Sequence, residues 1–290
     1  MLLPMTVRLA YSSDGFKTIP IRNASNTSPV AASRKVHFLI FDFMMVVDDL
    51  REEEKGVPLV YRLPDKDPGV FSDFYRKDTD SSFQFNTELI KGYAQEFAPL
   101  CRADLASMTA MCRPGTLDAP LYDTTAAQYY MDVKNGKRDV EYLHSDLEPI
   151  LKDSNGVFVY QEEVMRFLVE IVGYSWEESD VIRSAIAKKK HEVIMNTFTK
   201  IRESCTKRGW TEEAIETVCQ QIMAFSRYSF NKSHSYAYAE LGYITLYLKN
   251  HYPSEWWCAV LNNEGSEDKV RKYIAYLGDK IAPPSLKNPN

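Results

Sequence analysis

FNKSHSYAYAELGYITLYLKNHYPSEWW, residues 230–257, decides how the chain is read. Polar donors come first: Asn231, Lys232, Ser233 and His234. A helical pattern comes next in which Ala237, Leu241, Ile244 and Leu248 recur at spacings of three and four, the stripe of a helix packed on one side. Ser233 or Ser235 is the expected cap. The open backbone N–H groups of a helix start, with the positive end of its dipole, favour a phosphate, and Lys232 and His234 stand beside it.

Working outward, Pro253 suits the first turn of a further helix carrying Trp257, Val260 and Leu261. Upstream, Tyr160, Val164, Phe167, Leu168 and Ile171 form one stripe, and Ile215, Val218, Ile222 and Phe225 form another after a cap at Thr211. Val36–Phe41 is an apolar run broken only by His37, as in a buried strand, and it ends at Asp42. Residues 55–80 hold GVP, LPDKDPG and KDTDSS, which read as turn and loop chemistry between two structural units. The expected fold is α+β but mainly α.

The formal charge of −5 over 290 residues is unevenly spread. From Val181 to Trp210 eight basic residues face two acids, which suits a phosphate-facing helix pair. Asp42–Glu54 holds six acids and one base and would repel DNA unless metal ions sat on it. The five cysteines show no CxxC spacing and read as reduced thiols, not a zinc site. No apolar run approaches the roughly 20 residues of a membrane span, and MLLPMTVRLAYSSDG lacks the regions of a signal peptide, so a cytoplasmic chain without membrane contact is expected.

As a string, residues 230–253 closely resemble the fingers of bacterial and phage replicative DNA polymerases of the DNA polymerase III alpha subunit family. That family carries a Phe-Asn-Lys-Ser-His block, a helix, and then His-Tyr-Pro, here His251, Tyr252 and Pro253. Further blocks occur in the family's order: FLIFDF (38–43), SSFQFN (81–86), CRPGTL (112–117), YLHSDLEPIL (142–151), GVFVYQEEVM (156–165) and IRSAIAKKK (182–190). The similarity covers roughly residues 36–285.

The resemblance implies the C-terminal part of a nucleotidyltransferase-like palm over residues 1–60, with its strand ending at Asp42, a linker over 61–80, and a helical fingers domain over 81–290. It implies magnesium-dependent nucleotidyl transfer from a deoxynucleoside triphosphate onto template-primer DNA. Asp42 matches the third catalytic, metal-binding aspartate of the family's palm. Arg183, Lys188, Asn231, Lys232 and His234 are implied to bind nucleotide, and Arg113, Lys189 and Lys190 to bind DNA.

Departures are equally specific. The family's Asp-x-Asp pair has no counterpart before Asp42, where Asp14 is the one acid, and Asp48 and Asp49 read as surface acids. Ile40 replaces a triphosphate-binding lysine, Ser184 the second arginine of a pair, and Arg227 and Ser229 two glycines. Three readings stay open: part of a split or truncated polymerase whose two-magnesium site is completed by a second chain carrying the rest of the palm and the thumb, a non-catalytic DNA- or nucleotide-binding module, and a structural or regulatory interaction protein.

Overall fold

The computed structural model describes residues 8–9, 63–188, 190–225 and 229–282. The strand expected to end at Asp42, Asp42 itself and the acidic run after it lie outside these residues. So do Lys189 and Arg227.

The described chain is mainly helical. It forms α1 (Pro68–Tyr75), α2 (Glu88–Phe97), α3 (Arg102–Met111), α4 (Pro114–Leu117), α5 (Ala126–Lys134), α6 (Glu148–Leu151), α7 (Gln161–Phe167), α8 (Trp176–Ala187), α9 (His191–Lys207), α10 (Glu212–Phe225), α11 (Lys232–His251), α12 (Pro253–Asn263) and α13 (Glu267–Leu277). Two minimal antiparallel sheets accompany them. β1 (Arg8–Leu9) pairs with β4 (Ile281–Ala282), and β2 (Pro120–Leu121) pairs with β3 (Thr124–Thr125).

The described residues fall into two compact units, one within Met1–Asp73, Thr79–Phe83 and Gly242–Asn290, the other within Phe74–Asp78 and Gln84–Leu241. The second unit is built on helix stripes. Tyr160, Val164, Phe167, Leu168 and Ile171 are all buried, as are Ile215, Val218, Ile222 and Phe225. Thr211 caps α10 by accepting the Ala214 N–H at 3.2 Å. α9 packs on α8 and on α10, and α7 runs on into a π-helical turn, Leu168–Val172, stopped at Gly173 with φ 85°. Rings lock the layers: Phe97 stacks on Tyr130 at 5.7 Å, and Phe167 meets Phe158 and Trp210 edge-on at 6.1 and 6.2 Å.

The first unit centres on Trp256 and Tyr243, both fully buried. Pro253 opens α12, as its spacing predicts, and Trp257, Val260 and Leu261 are buried. The stretch 61–80, expected to be a linker of turns, instead contains α1. Asp67 is the reason: its Oδ1 accepts the Val70 N–H at 3.0 Å, and Pro68 occupies the first helical position, where its missing N–H costs nothing.

Gly156 takes φ +80° between the turn after α6 and the start of α7, and a Cβ there would stand 2.9 Å from Val140 Cγ2 and 3.1 Å from the Glu141 carbonyl. Gly156→Ala is therefore expected to cost about 2 kcal/mol, combining left-handed strain with that clash. Denaturant unfolding checks this, and an unchanged midpoint would refute it.

Candidate nucleotide-binding site

The N-terminus of α11 is set by a residue other than those expected to cap it. Asn231 Oδ1 accepts the His234 N–H at 2.8 Å, because Asn231 is the residue just before the helix and His234 the third within it. Ser233 is exposed, and Ser235 is buried with its hydroxyl donating to the Ala106 carbonyl at 2.6 Å. The buried face also differs from the expected stripe: Ile244 and Leu248 are buried, Leu241 is half-buried and Ala237 exposed.

The partner of this helix start is α7. Tyr160 and Phe230 form a parallel β-bridge in which the Gln161 N–H donates to the Phe230 carbonyl at 2.9 Å. The next residue, Glu162, spreads its carboxylate over the end of α11, accepting from Asn231 Nδ2 at 2.8 Å and from the Lys232 N–H at 3.0 Å. Lys232 Nζ lies 5.5 Å from the Tyr160 ring centroid. The Gln161 amide donates to Ser229 Oγ at 3.3 Å and accepts from Arg183 Nη1 at 3.4 Å. Arg183 is held from its own helix as well, with Nε and Nη2 each 2.8 Å from Asp180 Oδ1.

α7 is itself anchored by Glu163, whose Oε2 accepts the backbone N–H groups of Val159 and Tyr160 at 2.7 and 2.9 Å. Burial pushes the Glu163 carboxyl up to about 7 from an ordinary 4.5, against the downward pull of those two N–H groups, of Ser154 and of Lys232.

On another side of the same helix start, Arg113 lays its guanidinium 4.2 Å over the Phe230 ring and donates from Nε to the Ala110 carbonyl at 2.9 Å. Burial lowers its pKa. Phe230, His234 and Tyr238 succeed one another along the face, with centroids 5.5 and then 4.0 Å apart. They line a cavity of about 270 Å³ with Thr87, Thr109 and Arg113. Cys112 also borders it, its thiol pushed up to about 12 by burial and by Glu96, so it stays protonated.

The structure thus gathers Arg183, Asn231 and Lys232 into one network, with His234 and Arg113 meeting on the Phe230 ring. Lys188 and Lys190 are exposed at the turn between α8 and α9 and take no part in the contacts described for that network. Gln161, Glu162 and Asp180 were invisible as site residues from sequence, although YQEE sits inside a block that carries the resemblance.

The basic excess over 181–210 is smaller in space than in sequence. Arg183 pairs with Asp180, Arg202 with Glu212 (2.6 Å) and Glu216, and Arg208 with Asp146 (3.4 Å), all acids outside that window. Lys200 sits 3.6 Å over the Tyr174 ring. Among the described residues no three His, Cys, Asp or Glu side chains converge as a metal site, and no helix is long and apolar enough to cross a membrane.

The model of the bacterial DNA polymerase III alpha subunit finger domain matches residues 43–209, more than half of the chain. The chain belongs to this finger-domain family. Its relatives agree beyond the matched span. The finger domain and its flanks are 35% identical to the DNA polymerase III subunit alpha of Aquifex aeolicus over 247 residues, 84% of this chain. Identity is 31% to that of Bacillus subtilis, over 83% of the chain, and 30% to that of Escherichia coli K12, over 86%. The chain spans only 21–22% of the length of these relatives, so it corresponds to a portion of a DNA polymerase III alpha subunit.

Proposed function

We propose that this finger domain binds the triphosphate of an incoming deoxynucleoside triphosphate together with template-primer DNA, as part of a cytoplasmic DNA polymerase III alpha type enzyme. The observation that carries this reading is the gathering of Arg183, Asn231 and Lys232 around the first turn of α11. A guanidinium fork and an ammonium are donors that phosphate oxygens take, and they stand beside a twenty-residue helix whose first N–H is held by the Glu162 carboxylate. The ring series Phe230, His234 and Tyr238 with Arg113 adds flat surface of the kind on which bases stack. Lys188, Lys189 and Lys190 suit the DNA backbone by charge.

The described residues do not fit magnesium by themselves. In this proposal Asp42 and the carboxylates of a second polymerase chain, which also brings the rest of the palm and the thumb, hold the two ions. The departures at Ile40 and Ser184, and the hold of Asp180 on Arg183, favour as second reading a module that binds nucleotide or DNA without chemistry.

Arg183→Ala is expected to weaken deoxynucleoside triphosphate binding by about 1.5–3 kcal/mol, roughly ten- to a hundredfold in Kd. Titration of the full chain with a fluorescent triphosphate measures it, and an unchanged Kd would overturn the site. Primer extension with magnesium then separates the two readings. Extension that requires a second chain and is abolished by Asp42→Ala supports the polymerase portion. Binding with no extension in any combination leaves the module.

A further inference from the structure

We propose that Gln161 is the positioning residue of the triphosphate site, setting Arg183 against the segment Ser229–Lys232; the proposal rests on the triphosphate-binding role proposed for that site. Its amide has two chemically distinct ends. Arg183 only donates, so the atom facing its Nη1 at 3.4 Å is the amide oxygen, and the amide nitrogen is thereby left for Ser229 Oγ at 3.3 Å. The root of the side chain is fixed to the same segment, because the Gln161 N–H donates to the Phe230 carbonyl at 2.9 Å.

Asp180 and Gln161 hold Arg183 differently. Asp180 lies three residues earlier on α8, so its 2.8 Å contacts fix the guanidinium to its own helix and say nothing about α11. Gln161 lies on α7 and is the described contact that ties the arginine to the residues preceding α11. A neutral amide also suits the place. A carboxylate there would be a second acid beside Arg183 and would compete with phosphate oxygens for the same N–H groups.

Both amide bonds are long, at the outer edge of the hydrogen-bond range, so the effect of losing them is several-fold and not a hundredfold. Gln161→Met keeps the length of the side chain and removes both bonds. In the full chain titrated with a fluorescent deoxynucleoside triphosphate, Gln161→Met is expected to raise Kd about fivefold. In an Arg183→Ala background it is expected to add nothing, because it acts through Arg183. Gln161 is half-exposed, so the melting midpoint is expected to stay with the wild type. Ser229→Ala removes the other end of the bridge and is expected to give a smaller loss that does not add to Gln161→Met.

If the wild type binds no triphosphate, the site reading and this proposal fall together. Should the wild type bind, Arg183→Ala weaken it, and Gln161→Met either leave Kd unchanged or add fully to Arg183→Ala, the positioning role alone is overturned. Were Gln161→Met to unfold, the same cycle run with Ser229→Ala and Arg183→Ala decides the matter: non-additive losses support the bridge, and additive or absent ones reject it.

Discussion

Glu163→Ala is expected to lower the unfolding free energy by about 3 kcal/mol, because it strips the acceptor from two backbone N–H groups, those of Val159 and Tyr160, beside a side chain only 4% exposed. Glu163→Gln keeps an oxygen for both and is expected to retain most of the stability. The pair differs in pH dependence. Burial raises the Glu163 carboxyl from 4.5 to about 7, so the folded chain holds its proton more tightly than the unfolded one. Between those values folding takes up a proton, and the contribution of Glu163 to stability, present below about pH 4.5, is lost as pH rises to about 7. Glu163→Gln has no such loss and is expected to exceed the wild type at pH 8. Denaturant midpoints from pH 4.5 to 8 measure this, and parallel curves for the two proteins would reject it. Tyr160 carries the bridge to Phe230, so Glu163→Ala is also expected to weaken triphosphate binding.

The second large effect lies in the other unit. Trp256 is completely buried, and its indole N–H donates to Ser81 Oγ at 2.9 Å. Trp256→Ala is expected to cost about 3–5 kcal/mol, from lost transfer energy and the cavity left behind. Ser81→Ala, which leaves the indole N–H without that acceptor, is expected to cost nearer 1–3 kcal/mol. Circular dichroism during denaturant unfolding reads both, and a Trp256→Ala midpoint equal to that of Ser81→Ala would show that the packing around the indole matters little.

Periodic features are the ones legible in the residues alone. The stripes of α7 and α10 could be read because burial there repeats with the turn of the helix, and the Thr211 cap and Pro253 start because each sits at the edge of such a stripe. Legibility ends where one residue type serves two roles. Asp67-Pro68-Gly69 reads as a turn, yet Asp67 caps and Pro68 begins α1, and only the packing of Val70, Phe71 and Phe74 decides between them. Among Asn231, Ser233 and Ser235 the cap fell to Asn231 because Glu162 engages its amide nitrogen, which leaves Oδ1 for the His234 N–H. The basic excess of residues 181–210 is partly offset in space for a similar reason: Asp180 and Glu212 lie just outside that stretch and pair with Arg183 and Arg202. Of the candidate site, Arg183, Asn231, Lys232 and His234 came from the resemblance, whereas Gln161 and Glu162 emerge only once the chain is folded, since no local pattern marks a side chain whose partner lies 68 to 70 residues away.

That separation also bears on how the chain acquires its site. Joining Tyr160 to Phe230 closes a long loop, whose entropic cost must be met before either side gains a contact. The helices between them, α7 to α10, shorten that loop when they form first, so the proposed nucleotide binding is expected to emerge late in refolding, after most helical signal has returned. A peptide of residues 230–257 carries the Phe-Asn-Lys-Ser-His string and yet none of the α7 contacts that organise it, so the string alone would have a helix start without those contacts.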